Sequence, residues 1–223
     1  MIMSRRWEMR YHYNMNDELK RRSVRLKRFD YSTPGAYFVT ICVKDHKCLF
    51  GRIIMGKMEL NAYGIIAWNE WEKTGELRRV VKIDSFVIMP NHLHGILTIT
   101  GRGTLPRAQN HDEINAGTLQ RAPTTVETFG MPRSGSLSTI VRLFKATSTK
   151  QINILRGTPG AEFWQRNYYE HIVRNEAELN KTRRYIELNP AQWQFDRENE
   201  QRIENDEYEN TWMDILPCRA RPS

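Results

Sequence analysis

The chain has 223 residues, of which 39% are hydrophobic and 27% are charged. This composition is ordinary for a soluble globular protein and excludes a wholly disordered chain. The 34 lysines and arginines exceed the 26 acidic residues, which gives a formal net charge of +8. Such a charge favours a polyanionic partner such as nucleic acid, although a solvated basic surface has the same composition.

Cysteine usage and hydropathy point to a cytoplasmic protein. Cys42, Cys48 and Cys218 form neither a paired metal motif nor a disulfide framework, and an odd count fits a reducing compartment. The chain contains no run of about 18 apolar residues, and its start lacks the apolar core of a signal peptide. We therefore expect no membrane partner.

Charge is distributed unevenly along the chain. Cations are concentrated in residues 20–28, whereas residues 196–209 contain seven acidic residues and two arginines. A basic arm can follow a phosphate backbone, and the alternative is a disordered tail. These shifts predict three parts: a basic N-terminal arm (1–22), a folded domain (23–195) with a Gly- and Pro-rich loop insertion (101–134), and a charged C-terminal tail (196–223).

The first half of the domain is predicted to contain strands around one helix. Residues 35–43 are rich in aromatic and β-branched side chains, and two short strands flank the turn Met55-Gly56. Asn61 is an N-cap for a helix that ends near Lys73. Its predicted core-facing residues are Ile65, Trp68 and Trp71.

Two further strands and two further helices follow. Residues 83–89 and 93–100 are apolar runs separated by a turn, and Ser136 is an N-cap for the second helix. Asn175 caps a third helix, which Pro190 ends. The pattern predicts an α+β fold with a central antiparallel sheet and helices packed on it, in the ferredoxin-like manner. The predicted apolar stripe of the second helix is Leu137, Ile140, Val141, Phe144 and Leu155.

A His-x-His pair begins one of the predicted strands. Because side chains alternate between the faces of a strand, His92 and His94 point to one side and Leu93 to the other. Neutral imidazole is a good ligand for Zn, Mn, Co and similar divalent ions. A His-x-His pair alone is weak evidence for a metal site, since structural histidines show the same spacing. A metal site also needs a third ligand.

Tyr185 and Asn189 are four residues apart on the third predicted helix, so they share one face. If that face meets the histidines, Asn189 supplies an oxygen ligand beside a phenol. Helical spacing alone favours the alternative, in which Tyr185 is an ordinary packed residue and Asn189 only terminates the helix.

The two motifs together resemble one known family. Residues 83–96, with the sequence IDSFVIMPNHLHGI, resemble the HUH-motif strand of the single-tyrosine transposases. The segment YIELNP at 185–190 is similar to the tyrosine helix of the REP-associated tyrosine transposases, in which Asn can replace the Gln of insertion-sequence relatives. The resemblance covers residues 23–193 and includes FWQRNYYEHIVR at 163–174.

This resemblance implies a ferredoxin-like HUH fold and a metal-dependent transposase that cuts and rejoins single-stranded DNA. It implies a divalent ion, Mg²⁺ or Mn²⁺, held by His92, His94 and Asn189, with Tyr185 as nucleophile. The expected intermediate is a 5′-phosphotyrosine, and the expected substrate is single-stranded or hairpin DNA of REP type. Insertion-sequence relatives imply a homodimer, whereas REP-associated relatives also allow a monomer.

Alternatives remain at this point. Tyr168 and Tyr169 are rival nucleophiles by residue type, and cationic residues on the predicted elements are expected DNA contacts. A non-catalytic single-stranded nucleic-acid-binding protein would have structural histidines, and a metallohydrolase using metal-bound water would not need Tyr185. The expected DNA contacts are Arg142, Lys145 and Arg174.

Overall fold

The computed structural model describes residues 31–100, 135–213 and 215. The predicted arm at 1–22 and insertion at 101–134 lie outside the described residues, as does Cys218. Within the described part, no helix combines the length and the apolar character needed to cross a membrane. The elements are β1 Gly35–Cys42, β2 Gly51–Ile54, β3 Lys57–Leu60, α1 Ala62–Glu76, β4 Val81–Ile88, β5 His92–Ile99, α2 Leu137–Arg156, β6 Tyr169–Val173, α3 Glu176–Leu188 and α4 Asp206–Trp212.

Four strands form one antiparallel sheet in the order β4-β5-β1-β6, and β2 and β3 form a separate hairpin. Along the chain, the sheet strands and the first two helices follow a βαββαβ sequence. This order and connectivity are ferredoxin-like, so the predicted α+β fold is confirmed. In the centre of the sheet, β1 and β5 pair so that Thr40 lies opposite His94 and Cys42 opposite His92.

The sheet separates two hydrophobic cores. Leu93, Leu97 and Ile99 of β5 belong to the core beneath α1 and α2, as their alternation with the histidines predicted. Phe38 and Ile96 belong to the opposite core, where α3 and α4 pack. His92 and His94 therefore face α3, and both are fully buried in that layer.

The face that α1 buries agrees with the prediction at Trp71 and differs from it at the other two residues. Asn61 caps the helix by accepting hydrogen bonds from the backbone N–H groups of residues 63 and 64, but Ile65 is 51% exposed and Trp68 36% exposed. The helix packs through Gly64, Ala67 and Trp71, because only glycine at position 64 allows the approach to the Phe50 carbonyl. A Cβ atom at Gly64 would lie 2.3 Å from that oxygen.

The predicted stripe of α2 is correct except at its last member. Leu155 is 55% exposed, and Ile152 is buried in its place. The last turn is fixed by Asn153, whose Nδ2 donates to the carbonyl of Ala161 at 2.8 Å. That contact holds the helix end against the segment after it and leaves Leu155 outside the core.

Gly95 lies where the sheet meets α1 most closely. A Cβ atom there would be 2.8 Å from Cζ2 of Trp71, a buried side chain that cannot move freely. We expect Gly95→Ala to lower the free energy of unfolding by about 1–3 kcal/mol, the range typical of overpacked cores. Urea unfolding measures this, with Gly35→Ala as control, because its Cβ would meet Tyr37 only at 3.8 Å. Equal stability of the two variants would contradict the packing described.

Candidate active site

The candidate site forms where the start of β5 faces the end of α3. The Tyr185 hydroxyl lies 3.0 Å from Nε2 of His94 and 3.4 Å from Oδ2 of Asp196. The side chains of His92, His94, Asp196 and Tyr185 are all buried, none more than 1% exposed. The structure thus joins the His-x-His strand to the tyrosine helix, as the combined motifs predicted.

The orientation of His92 is set by its neighbour Asn91. The Asn91 Nδ2 donates to the carbonyls of His46 at 3.1 Å and Glu198 at 2.6 Å, which points Oδ1 toward His92. Because a carboxamide oxygen only accepts, Nδ1 of His92 must carry the proton in their 2.7 Å hydrogen bond. The lone pair of His92 is therefore on Nε2, and that buried atom has no hydrogen-bond partner among the described residues.

His94 is held from both sides. Its Nδ1 lies 2.9 Å from the hydroxyl of Thr40 on the adjacent strand, and Phe38 stacks on its ring. Its Nε2 points to the Tyr185 hydroxyl and lies 3.8 Å from Oδ2 of Asp196. A hydrogen bond on the distal nitrogen that fixes the ring is the usual support of a metal-binding histidine.

Asn189 is the C-cap of α3 and is fully buried at the site. Its Nδ2 donates to Oδ2 of Asp196 at 2.8 Å, while its Oδ1 has no partner among the described residues. Asp196 follows the short 3-10 helix Pro190–Phe195, which begins directly after Asn189. The helix end and the following turn thus each add an oxygen-bearing side chain.

These side chains fit a divalent cation. One ligand atom from each of His92, His94 and Asp196 lies within 4.8 Å of the others. Two buried polar atoms have no hydrogen-bond partner among the described residues, Nε2 of His92 and Oδ1 of Asn189. A bound ion would give each of these atoms a partner. Two imidazoles with a carboxylate and an amide oxygen suit Mn²⁺, Zn²⁺ or, less closely, Mg²⁺. The donor set is consistent with a metal centre of class His₂-carboxylate.

The electrostatics of the site keep His92 neutral and the phenol of Tyr185 protonated. Burial, with the adjacent His94, lowers the pKa of His92 to about 3. Burial also raises the pKa of Tyr185 well above its usual range, and the charge of Asp196 adds to the effect. For Asp196, burial favours the neutral acid, but the histidines and Asn189 outweigh it and hold its pKa below the usual range. An ionised carboxylate thus faces a phenol that needs a cation or base to lose its proton.

The site is closed in this state. The ring of Trp212 on α4 lies edge-on to Tyr185, with 5.2 Å between ring centroids, and Trp193 lies 6.0 Å from His92. Two tryptophans of the segment 193–212, called the covering segment below, thus pack against a histidine of the pair and against the phenol.

The structure separates Tyr185 from its rivals. The Tyr169 hydroxyl donates to the carbonyl of Ile215 at 3.0 Å, and Tyr168 packs on the opposite core. His171, which follows these tyrosines in the chain, is paired with Glu178 at 2.7 Å. Of these three tyrosines, Tyr185 is the one whose hydroxyl is shown in contact with a histidine of the His-x-His pair.

The expected DNA contacts are not gathered at the site. Arg142 is exposed on α2, whose core lies on the far side of the sheet from Tyr185. Lys145, also on α2, donates to the carbonyls of Gln165 and Asn167 at 2.7 and 2.9 Å, and burial lowers its pKa to about 8. Arg174 is exposed beyond the end of β6. A DNA-binding role for these three residues stays a prediction.

Sequence reasoning missed Asp196, Asn91 and Thr40. Asp196 was assigned to the charged C-terminal tail, yet its carboxylate is buried beside Tyr185. The only sequence signal was its position six residues after a helix-ending proline, which is too common to identify a site. The division of the chain at residues 22 and 195 stays a prediction, although residues 196–213 pack on the α3 side of the sheet.

The fold and the site define a ferredoxin-like α+β protein with a buried His, Asp and Tyr constellation. No model of a known protein family matches the chain. An uncharacterized protein from Haemophilus influenzae is 40% identical over 181 residues, which cover 79% of this chain and 92% of that protein. The chain belongs to the same family as that protein.

Two solved structures are similar to this one. A REP-associated tyrosine transposase bound to a REP hairpin has 18% sequence identity and a TM-score of 0.44, with 76% of this chain and 72% of that chain covered. A candidate transposase from Deinococcus radiodurans R1 has 12% identity and a TM-score of 0.34, with 70% of this chain and 90% of that chain covered.

Proposed function

We propose that this protein is a metal-dependent transposase or nickase that cleaves and rejoins single-stranded DNA through Tyr185, on hairpin-forming sequences of REP type. The observation that carries the proposal is the 3.0 Å contact between the Tyr185 hydroxyl and His94 of the His-x-His strand. A helical phenol that contacts a histidine of the His-x-His strand is the arrangement that the resemblance to the HUH and tyrosine-helix motifs implies. The DNA class follows from the resemblance of those motifs, and the net charge of +8 suits it.

Cleavage is a phosphoryl transfer to the phenol. The Tyr185 oxygen attacks the phosphorus in line, the P–O3′ bond breaks, and the products are a 5′-phosphotyrosine and a free 3′-hydroxyl. A 3′-hydroxyl attacking the phosphotyrosine reverses the step, so the bond energy is retained and no nucleotide cofactor is consumed.

Asp196 is suited to take the phenol proton. Its Oδ2 lies 3.4 Å from the Tyr185 oxygen, and hydrogen bonds from Asn189 and from the backbone N–H of Glu198 fix the carboxylate. The proton then passes to the departing 3′-oxygen. This assigns to Asp196 the base that the sequence left unnamed.

His92, His94 and Asn189 would hold the divalent ion, Mg²⁺ or Mn²⁺, with Asp196 as a fourth, anionic neighbour. When bound, the ion polarises the scissile phosphate and offsets its developing charge, a contribution of several kcal/mol. Asn91 and Thr40 keep the two imidazoles aligned for that role.

DNA binding should open the covering segment, because Trp212 packs on Tyr185. We expect amide hydrogen exchange in α4 to become at least about tenfold faster when Tyr185→Phe protein binds a hairpin with a single-stranded flank. The amides of α2, on the other core, serve as internal control. Binding with unchanged protection of α4 would argue against this route of access.

The function is tested by incubating the protein with hairpin-containing single-stranded DNA and Mg²⁺ or Mn²⁺. We expect a protein–DNA adduct on a denaturing gel, and mapping of the modified peptide should identify Tyr185. Cleavage without an adduct would instead indicate a metallohydrolase. Binding without cleavage would indicate a non-catalytic single-stranded nucleic-acid-binding protein.

A further inference from the structure

A second cluster of ligand-type side chains lies at the same end of the sheet, beside the candidate active site. Cys42 is the last residue of β1, His46 ends the short 3-10 helix Lys44–His46, and Glu198 comes from the segment after α3. Oε2 of Glu198 lies 3.4 Å from Sγ of Cys42 and 3.2 Å from Nδ1 of His46. All three donor atoms lie within 4.8 Å of one another.

The two distances from Oε2 of Glu198 match the edges of a coordination tetrahedron. Zinc ligand distances of about 2.0 to 2.3 Å place adjacent donors roughly 3.3 to 3.5 Å apart. One thiolate, one imidazole and one carboxylate make a donor set of intermediate softness, which zinc and cobalt prefer over magnesium. The three residues thus offer a cation of that class three protein ligands.

The surrounding backbone holds the cluster in place. The Asn91 Nδ2 donates to the carbonyls of His46 and Glu198 and so ties two of the three ligand residues together. Asp45 and His46 have φ values of 58° and 49°, a region that costs a non-glycine residue about 1 kcal/mol or more. Support of ligands by a shared hydrogen-bonding neighbour is common around metal centres.

We infer that Cys42, His46 and Glu198 form a second divalent-cation site, of zinc type, that fastens the segment around residue 198 to the end of β1. The side chains of His46 and Glu198 are 28% and 13% exposed, so an ion can enter from solvent. Binding converts the Cys42 thiol to a thiolate and releases its proton to solvent. The site is separate from the proposed DNA chemistry and stands or falls independently of it.

The test uses Co²⁺ as a probe on the full chain after removal of bound metal. A thiolate ligand gives an intense near-ultraviolet sulfur-to-cobalt charge-transfer band, which the His, Asp and Asn side chains of the active site cannot produce. We expect this band in the wild type and in His92→Ala. Cys42→Ser should lose the band and should bind one equivalent of Co²⁺ less than the wild type. Glu198→Gln should weaken cobalt binding by roughly tenfold or more.

The matched control is the double variant Cys48→Ser with Cys218→Ser, which removes the other two thiols of the chain. The control should retain the charge-transfer band and should bind as much Co²⁺ as the wild type, since Cys48 is exposed and outside the cluster. Absence of the band in the wild type, or its persistence in Cys42→Ser, would overturn the inference. Glu198→Gln keeps the buried thiol, so it tests the site even if Cys42→Ser fails to fold.

Discussion

Tyr185→Phe should abolish the covalent protein–DNA adduct while leaving hairpin binding within about threefold of the wild type. The substitution removes one oxygen, the atom that the proposal makes the nucleophile, and no other side chain can replace it in line. Loss of its hydrogen bonds to His94 and Asp196 should cost about 1–3 kcal/mol of folding stability. Denaturing gels measure the amount of adduct, and a binding assay measures the affinity for the hairpin DNA.

The matched control for this prediction is Tyr169→Phe. Tyr169 is also a buried tyrosine of the same core, and its hydroxyl donates a hydrogen bond to the carbonyl of Ile215. Removing that oxygen should leave adduct formation within a few fold of the wild type. If Tyr169→Phe eliminated the adduct and Tyr185→Phe did not, the assignment of the nucleophile would be wrong.

Local patterns were enough to predict the elements that carry the site. Alternation along a strand correctly placed His92 and His94 on one face and Leu93 in the opposite core. Helical spacing correctly placed Tyr185 and Asn189 together, and both are buried beside the histidines. These predictions succeeded because each depends on one element and its fixed period.

The parts that the sequence did not reveal depend on how separate elements pack. Glu198 meets Cys42 across 156 positions of the chain, and Asp196 enters the site only because a 3-10 turn redirects the backbone. An acidic run gives no sign of which carboxylate is buried. The buried face of α1 was missed for a similar reason, since the close approach at Gly64 set the rotation of the helix.

His92→Ala should lower the rate of adduct formation by roughly 10²- to 10³-fold, and chelation of divalent ions should have a similar effect on the wild type. The magnitude follows from several kcal/mol of charge stabilisation at about 1.4 kcal/mol per factor of ten. In the variant, added Mn²⁺ should restore little of the lost rate, because the imidazole with a lone pair aimed into the site is gone. Single-turnover kinetics at several Mn²⁺ concentrations measure both effects.

His171→Ala is the control that separates a ligand from a structural histidine. His171 lies on β6 and its Nε2 is paired with Glu178, so its loss should change the rate by less than about threefold while costing some stability. The two histidines differ at their Nε2 atoms. In His171 this atom is paired with the Glu178 carboxylate, whereas in His92 it is buried without a hydrogen-bond partner among the described residues. A metal role predicts that only the second substitution changes the dependence of the rate on Mn²⁺. Equal losses from both variants would mean that His92 acts through folding, and the proposed metal centre would have to be abandoned.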